Sequence, residues 1–381
     1  MKSTLWLMIF FLFCRPLQGQ VILVNCAEKA DNYSVEVVKA MMDGNDEALA
    51  ELLFAWEQDC GLTEPVFRAR ALQLIAEGRF PGPLDESLLL EKAVAFEIRY
   101  RLNTEESPSV RNFFYEEYEE YFGHVPLNEE FDRQTLRIAN RLKNQVDDNT
   151  LEYRLLELYS GNTVSFFLAL KEGNFAETQL AGDYNNRVAE LLNMPEINLG
   201  VRGGMWFPMG DLDILGVHPA LGVNLGVKKN RNYLDAIFDI RFGKAANPVT
   251  LVVQDTLVIT ATNFQGAYMG LEWSRVLVKG SDYEIELFAG AGYDVIDLIE
   301  DGQDPERQTF GSFAVYFGPS YRYIFANRTW LSIRPGFYLL NHNHEGGSSF
   351  KGNAWSFTVA FGYTDNPRKS EGLKRLGYSR W

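Results

Sequence analysis

The second half of the chain alternates between two kinds of side chain with a period of two residues. From Ile197 to Pro208, mostly large apolar residues take every second position, and mostly small or polar residues lie between them. A strand with two unlike faces produces this pattern. The same alternation returns in seven further runs: His218 to Lys229, Tyr233 to Gly243, Phe264 to Val278, Tyr283 to Leu298, Phe310 to Phe325, Trp330 to Leu340 and Ala354 to Tyr363. The pattern predicts an eight-stranded antiparallel β-barrel over residues 196–365.

The connections between these runs alternate in length. The long ones are 211–217, 244–263, 299–309 and 341–353, and the short ones are 230–232, 279–282 and 326–329. Short turns at one end, long loops at the other and strands of about ten residues are typical of barrels that cross a membrane. The connections therefore favour a transmembrane barrel.

A secreted soluble barrel of the lipocalin kind is the alternative, with its apolar face turned inward around a ligand. The composition of the polar face distinguishes the two. It consists mostly of small residues such as Gly200, Gly226 and Ser312, as the crowded interior of an eight-stranded barrel requires. The apolar face is rich in aromatic residues such as Trp273 and Phe317, which suits contact with lipid. We therefore favour the membrane barrel.

The last run, Ser356 to Tyr363, has a polar residue followed by alternating aromatic residues. In this run and in the pattern of residues 197–365, the chain resembles the small eight-stranded outer-membrane barrels of Gram-negative bacteria, such as the OmpA transmembrane domain. The resemblance implies a location in the cell outer membrane, contact with outer-membrane lipid and recognition of the last strand by the insertion machinery. Thr358 stands where glycine is usual in this family, and the chain continues beyond Tyr363.

The polar face also carries charges of both signs. Its charged residues are Arg202, Lys228, Asp235, Asp239, Arg241, Glu272, Glu284, Glu286, Asp294, Arg322 and Arg334. Inside a barrel we expect these side chains to pair across strands, because an unpaired buried charge is costly. A proton- or ion-conducting path is the functional alternative to a closed interior.

A second candidate site is the group His342, His344 and Glu345, which we place in the last long loop. Histidine with a carboxylate can hold zinc or orient a nucleophile, and some eight-stranded outer-membrane barrels are enzymes that modify lipid A. No Gly-x-Ser-x-Gly motif is present, and the segment is equally typical of a polar surface loop. We therefore predict no enzyme activity and no cofactor, and keep the lipid-modifying enzyme as an alternative.

Residues 20–195 have a helical period instead, as in Val66, Ala69, Leu72 and Ile75. The pattern predicts an all-α domain of about eight or nine helices separated by short Gly, Pro and Asn breaks. Two similar breaks, at Gly44 and Gly78, lie 34 residues apart. This is the period of a tetratricopeptide repeat, so a repeat array stays open beside a general helical domain. The acidic and aromatic run 115–121 is interpreted as a solvated helix face, with a docking surface as the alternative.

The N-terminal residues have the features of a secretory signal peptide. Lys2 precedes a short apolar run from Leu5 to Phe13, and a small residue, Gly19, marks a cleavage position. Removal of residues 1–19 leaves Cys26 and Cys60 as the cysteines of the mature chain, in an oxidising compartment. We predict a disulfide between them.

Charge divides the chain in the same place as the periodicity. Residues 27–196 contain 33 Asp and Glu against 16 Lys and Arg, whereas residues 197–381 are neutral. An acidic domain argues against nucleic-acid binding. We predict that the barrel anchors the helical domain, and that this domain docks another envelope protein. A narrow channel is a further alternative.

An even number of strands brings both ends of the barrel out on the side of the short turns, which is periplasmic in outer-membrane barrels. We therefore expect the helical domain in the periplasm. The C-terminal tail, residues 366–381, has five Lys and Arg against one Glu. It would lie there too, either on anionic lipid headgroups or on the acidic helices of its own chain.

Overall fold

The computed structural model describes residues 26–253, 257–300, 307–343 and 349–378. The chain forms two compact units: the first combines residues up to Leu192 with the segment from Pro367 onward, and the second is Asn193–Asn366. The predicted signal peptide lies outside the described residues.

The first unit is helical, which confirms the predicted fold class of this part; the tetratricopeptide repeat stays a prediction. Its helices are α1 (Cys26–Asp43), α2 (Asp46–Cys60), α3 (Glu64–Ala76), a 3₁₀ helix (Glu86–Leu88), α4 (Leu89–Glu105), α5 (Pro108–Glu117), α6 (Glu130–Lys143), α7 (Leu151–Tyr159), α8 (Thr163–Lys171), α9 (Gln179–Leu192) and α10 (Pro367–Arg375). Residues of the expected types begin several of them. The Asn45 side chain accepts a hydrogen bond from the backbone N–H of Ala48, and Pro65 and Pro108 lie in first turns. None of the described helices is long and apolar enough to cross a membrane.

The predicted disulfide is present between Cys26 and Cys60, whose Cα atoms lie 4.8 Å apart. Cys26 is the first residue of α1 rather than part of a preceding segment, and Cys60 is the last residue of α2. Nearby, the buried Trp56 ring meets the edge of Phe131 at a centroid distance of 5.6 Å. The disulfide and this contact hold α1, α2 and α6 around one core.

A buried ion network joins three helices of this unit. Asp132 of α6 accepts hydrogen bonds from Arg68 of α3 at 2.9 Å and from Arg99 of α4 at 2.7 Å. Arg99 also donates to the backbone carbonyls of Val125 and Pro126. Both guanidinium groups therefore find partners, and the segment between α5 and α6 is fixed against α4.

The basic C-terminal segment completes the helical unit. Leu373 and Leu376 are buried, and the Tyr184 hydroxyl of α9 donates to the backbone carbonyl of Leu376 at 2.7 Å. Arg101 of α4 and Glu371 of α10 form an ion pair at 2.9 Å. Of the two positions considered for the tail, the structure has the one on the helices of its own chain.

The second unit is a closed barrel in which each strand pairs antiparallel with the next and the last strand pairs with the first. The predicted eight-stranded antiparallel barrel is thus confirmed. The strands are β1 (Glu196–Gly210), β2 (His218–Lys229), β3 (Asn232–Val253), β4 (Leu257–Lys279), β5 (Tyr283–Glu300), β6 (Arg307–Ile324), β7 (Thr329–Asn343) and β8 (Ser349–Asp365).

The long connections are shorter than predicted because the strands extend into them. Most of the predicted loop 244–263 belongs to β3 and β4, which pair again from Val249 opposite Ala261 after a register shift. Residues 249–253 and 257–261 are rich in Val, Ile and Thr. These residue types favour strands, which explains the extension.

Apolar side chains pack inside the barrel at the end with the long connections. The predicted loop 211–217 contains a 3₁₀ helix, Asp211–Leu215, which turns Leu212 and Leu215 into the interior. There they pack with buried residues from the strands, including Phe264, Leu298 and Phe310. This end of the interior is therefore apolar, whereas the charges lie deeper in the barrel.

Candidate functional site

All eleven predicted interior charges are buried in the barrel. Ten of them form ion pairs between strands, as expected for a closed interior: Arg202 with Asp239 (3.1 Å), Lys228 with Glu284 (2.7 Å), Arg322 with Glu286 (3.0 Å), Arg241 with Asp294, and Arg334 with Glu272. The remaining carboxylate, Asp235, accepts hydrogen bonds from the Asn198 side chain at 2.8 and 3.0 Å. Each buried charge thus has a polar partner in the barrel.

His342 lies in the interior, not in a loop as predicted. It belongs to β7, is fully buried, and its Nε2 lies 2.8 Å from Asp294 Oδ1. Two and four residues earlier on the same strand, Leu340 and Tyr338 also face inward. His342 therefore continues the inward-facing series of β7. His344 and Glu345 lie outside the described residues. The proposed group of three therefore stays a prediction, with only the place of His342 described.

A small cavity lies among the interior charges. It has about 20 Å³ beside Arg202, Trp206 and Tyr268, which is room for about one water molecule. Within the described residues, no group of three or more His, Cys, Asp or Glu side chains is placed to hold a metal ion. The barrel interior is thus filled by paired charges and aromatic rings.

The helical unit carries a larger concave surface. A groove of about 530 Å³ runs between α4 and α9. Leu90, Val94 and Ile98 contribute an apolar strip from one face of α4, at spacings of four residues. Tyr121 also lines the groove, together with polar residues that form its rim: Ser87, Glu91, Asp183, Asn186, Arg187 and Glu190. We call this feature the α4–α9 groove.

The rim of the α4–α9 groove is acidic. Three carboxylates face one guanidinium there, and Arg187 already pairs with Glu190 at 2.6 Å. Asp183 has a buried oxygen, Oδ2, with no hydrogen-bond donor among the residues that the structure describes. Buried acceptors in proteins are normally satisfied. A donor brought by a bound molecule would complete this group.

Tyr121 is held in place by its neighbours. Its ring meets the edge of Phe122 at 5.3 Å, and Phe122 is buried with Ile98 and Leu102. Arg99 also donates to the backbone carbonyl of Phe122 at 3.3 Å. The groove is therefore built on a packed core, as a pre-formed binding surface requires.

Sequence reasoning missed this groove, although a signal existed. Besides Leu89 and Phe96, the residues Leu90, Val94 and Ile98 form a second apolar face of α4. A helix with apolar residues on two sides needs a cover on both. In the run 115–121, Tyr121 lines the groove. A solvated face at 115–121 would turn the adjacent Phe113 inward, whereas this side chain is 43 % exposed.

Comparisons with known proteins concern the barrel. No protein family model matches the chain, and no curated protein matches it. Among solved structures, Neisserial surface protein A matches with 11 % identity over 44 % of this chain and 96 % of that chain, at a TM-score of 0.30. The N-terminal barrel domain of Pseudomonas aeruginosa OprF matches with 12 % identity, 44 % and 96 % coverage and a TM-score of 0.27. The attachment invasion locus protein of Yersinia pestis matches with 13 % identity over 44 % of this chain and 97 % of that chain, at a TM-score of 0.27. We draw no functional conclusion from likenesses at this level.

Proposed function

We propose that the protein is an outer-membrane barrel that anchors a periplasmic helical module, and that this module binds another envelope protein. The α4–α9 groove carries the proposal, because it is a pre-formed apolar surface with a polar rim. Grooves between helices are a common way to bind a segment of another protein.

The outer surface of the barrel supports its place in a membrane. Around the barrel, outward-facing apolar side chains such as Val223, Trp273, Phe317 and Phe361 are each about half exposed. Monomeric soluble proteins rarely leave so large an apolar surface in water. Lipid would cover this surface, and closure of the sheet satisfies the backbone hydrogen bonds that lipid cannot.

The strand count supports the proposed orientation. Eight strands bring both ends of the barrel out on the side of the short turns, and short turns are periplasmic in outer-membrane barrels. Repulsion between the acidic helical unit and anionic headgroups would disfavour binding of this unit to lipid. The first argument supports a periplasmic location, and the second supports a module that is available to a protein partner.

We propose binding rather than catalysis. The enzyme alternative needs His342 at a lipid- or water-facing position, whereas this side chain is buried against Asp294 in the barrel. The channel alternative needs continuous space in an interior that paired charges and aromatic rings fill.

A photo-crosslinking residue at Tyr121 tests the proposal in intact cells. Replacing Tyr121 by a benzophenone amino acid should give a discrete adduct with one envelope protein. The matched control carries the same residue at Phe54 of α2, an exposed aromatic side chain of the same unit that does not line the groove. Equal adducts at both positions, or none at Tyr121, would contradict the proposal.

A further inference from the structure

We infer that the α4–α9 groove binds a short basic amphipathic helix, with leucine-type side chains on one face, contributed by a partner protein. This inference rests on the proposed function and adds the chemistry of the partner. Two independent features lead to it: the helix that the chain itself packs beside the groove, and the charges of the rim.

The neighbouring surface of α4 and α9 already holds a helix of this kind. The α10 helix contains Arg368, Lys369, Lys374 and Arg375 against a single Glu371. Its buried face holds Leu373 together with Lys369 and Arg375, and Leu376 just beyond it is buried as well. One basic helix with a buried leucine is therefore recognised by this helical unit within the same chain.

The contacts of α10 show how that recognition works. A Cβ atom built on Gly372 would lie 2.9 Å from Leu191 of α9, so the two helices approach closely at that glycine. Glu371 pairs with Arg101 of α4, and Arg375 also lies 3.3 Å from Glu371. Apolar residues thus fill the contact with α9, while charged groups fix the helix against α4.

The α4–α9 groove continues this surface. Ile98 lines the groove, and it also lines the small depression that contains Arg101 and Arg375. The strip from Leu90 to Ile98 covers nine residues of α4, about 12 Å from the first to the last at the rise of an α-helix. That length accommodates about two turns of a docked helix. The groove therefore offers a second position of the same type as the one that α10 occupies.

The charges of the rim determine the sign of the partner. Glu91, Asp183 and Glu190 outnumber Arg187, and the buried Oδ2 of Asp183 lacks a donor within the described structure. A lysine or arginine on the docked helix would supply that hydrogen bond, and bonds to charged groups are stronger than neutral ones. The acidic field of the whole unit would speed the approach of a basic segment.

The secondary structure of the unit determines the conformation of the partner. Both walls of the groove are helices, and side-chain ridges of a third helix fit between such walls. The described part of the helical unit contains no β-strand, so it offers no sheet edge to an extended peptide. The docked segment is therefore helical.

Binding of a synthetic peptide to the full-length protein in detergent tests the inference. The probe is a fluorescent helix of about three turns with leucines at i, i+3, i+4 and i+7 and lysines on the other face. Its control has glutamate at every lysine position. We expect the basic peptide to bind and the acidic peptide to bind at least about tenfold more weakly. Asp183→Asn should weaken the basic peptide about tenfold, whereas Glu47→Gln on α2, outside the groove, should leave its affinity unchanged.

The position of the bound peptide must also be mapped. A photoreactive leucine in the basic peptide should label Val94 or Tyr121; labelling of Tyr184 or Leu191 instead would mean displacement of α10 and would overturn the inference. Equal binding of both peptides would overturn it too. If the Tyr121 adduct in cells contained residues 367–378 of a second copy, the groove would be occupied by this same chain. The inference of a partner protein would then be wrong. If the cellular adduct forms but the basic peptide does not bind, the proposed docking function is kept, and the inference that the partner segment is a basic helix is wrong.

Discussion

Arg101 and Glu371 form an ion pair at 2.9 Å although 270 residues, including the whole barrel, separate them in the chain. Beside this pair, Leu373 of α10 is fully buried. The helical unit is therefore discontinuous in sequence, and its last helix is part of its core.

The first prediction concerns that helix. Leu373→Ala should destabilise the helical unit by about 2–5 kcal/mol, because it removes a buried side chain and leaves a cavity. Thermal unfolding of the full-length protein in detergent measures this. Lys374→Ala, an exposed change on the same helix, should have little effect. If the two variants melted alike, α10 would not be part of the core.

The second prediction concerns Asp132. Burial alone would raise the pKa of this carboxyl, but the charges and hydrogen bonds of Arg99 and Arg68 lower it well below its ordinary value. Asp132→Asn should therefore destabilise the unit by about 3–5 kcal/mol at neutral pH, because buried Arg99 loses its charged partner and buried Arg68 is left with Glu64 alone.

The same variant should show a specific pH dependence. A carboxyl with a lowered pKa stabilises the fold above its unfolded pKa of about 4, and that stabilisation is lost as the pH falls toward the folded pKa. The stability difference between wild type and Asp132→Asn should therefore be greatest near neutral pH and shrink below about pH 4. Denaturant unfolding at several pH values measures it, with the exposed Asp148→Asn as the control. A constant difference at all pH values would argue against the ion network as the cause.

The third prediction concerns the disulfide. Reducing the bond between Cys26 and Cys60, which lie 34 residues apart, should destabilise the helical unit by about 3–4 kcal/mol in the chain-entropy model. Unfolding with and without reductant measures the change. Thiol labelling of the mature protein without reductant should find neither cysteine reactive, and stoichiometric labelling would reject the bond.

The fourth prediction separates the two faces of the barrel. Val223→Arg places a charge on the outer face and should cost about 2–4 kcal/mol near the bilayer midplane. Gly226→Ala should impair folding by a different cause, since its Cβ would lie 2.1 Å from the Leu234 carbonyl oxygen of β3. Heat-modifiable mobility on detergent gels reports the folded barrel. Val223→Leu is the control, and normal folding of both test variants would contradict the assigned faces.

The fifth prediction concerns orientation. Protease added to intact cells should spare the helical unit and cut only at the long connections of the barrel. Permeabilising the outer membrane should then make the unit accessible to digestion. Its degradation in intact cells would place the module outside the cell, and surface adhesion would become the better hypothesis.

The barrel could be predicted in some detail because strand alternation is local. Side chains alternate between the two faces along each strand, and this alternation was enough to assign all eleven charges, Arg334 and Glu272 among them, to the inner face. The assignment was wrong for His342, because the predicted strand ended before this residue. His342 continues the inward series of β7, but the polar residues around it are equally typical of a loop.

The helical unit was less predictable because its important contacts join distant segments. The groove exists only where α4 and α9 lie side by side, and Val94 and Arg187 are far apart in the chain. The burial of Leu212 inside the barrel was hard to predict for the same reason, because it depends on contacts with distant strands. A short loop with two leucines does not reveal which surface will cover them.

The position of α10 in the chain means that the helical unit can be completed only after the barrel has been synthesised. Ribosomes make the chain from the N-terminus, so α1 to α9 exist long before α10, which follows the last strand of the barrel. Until then Leu191 lacks its cover, and the helices carry an open apolar surface that chaperones and proteases can recognise. A polypeptide that stalls before β8 is complete also lacks α10. Truncated products would thus keep this surface open, whereas copies that contain both the complete barrel and α10 would cover it.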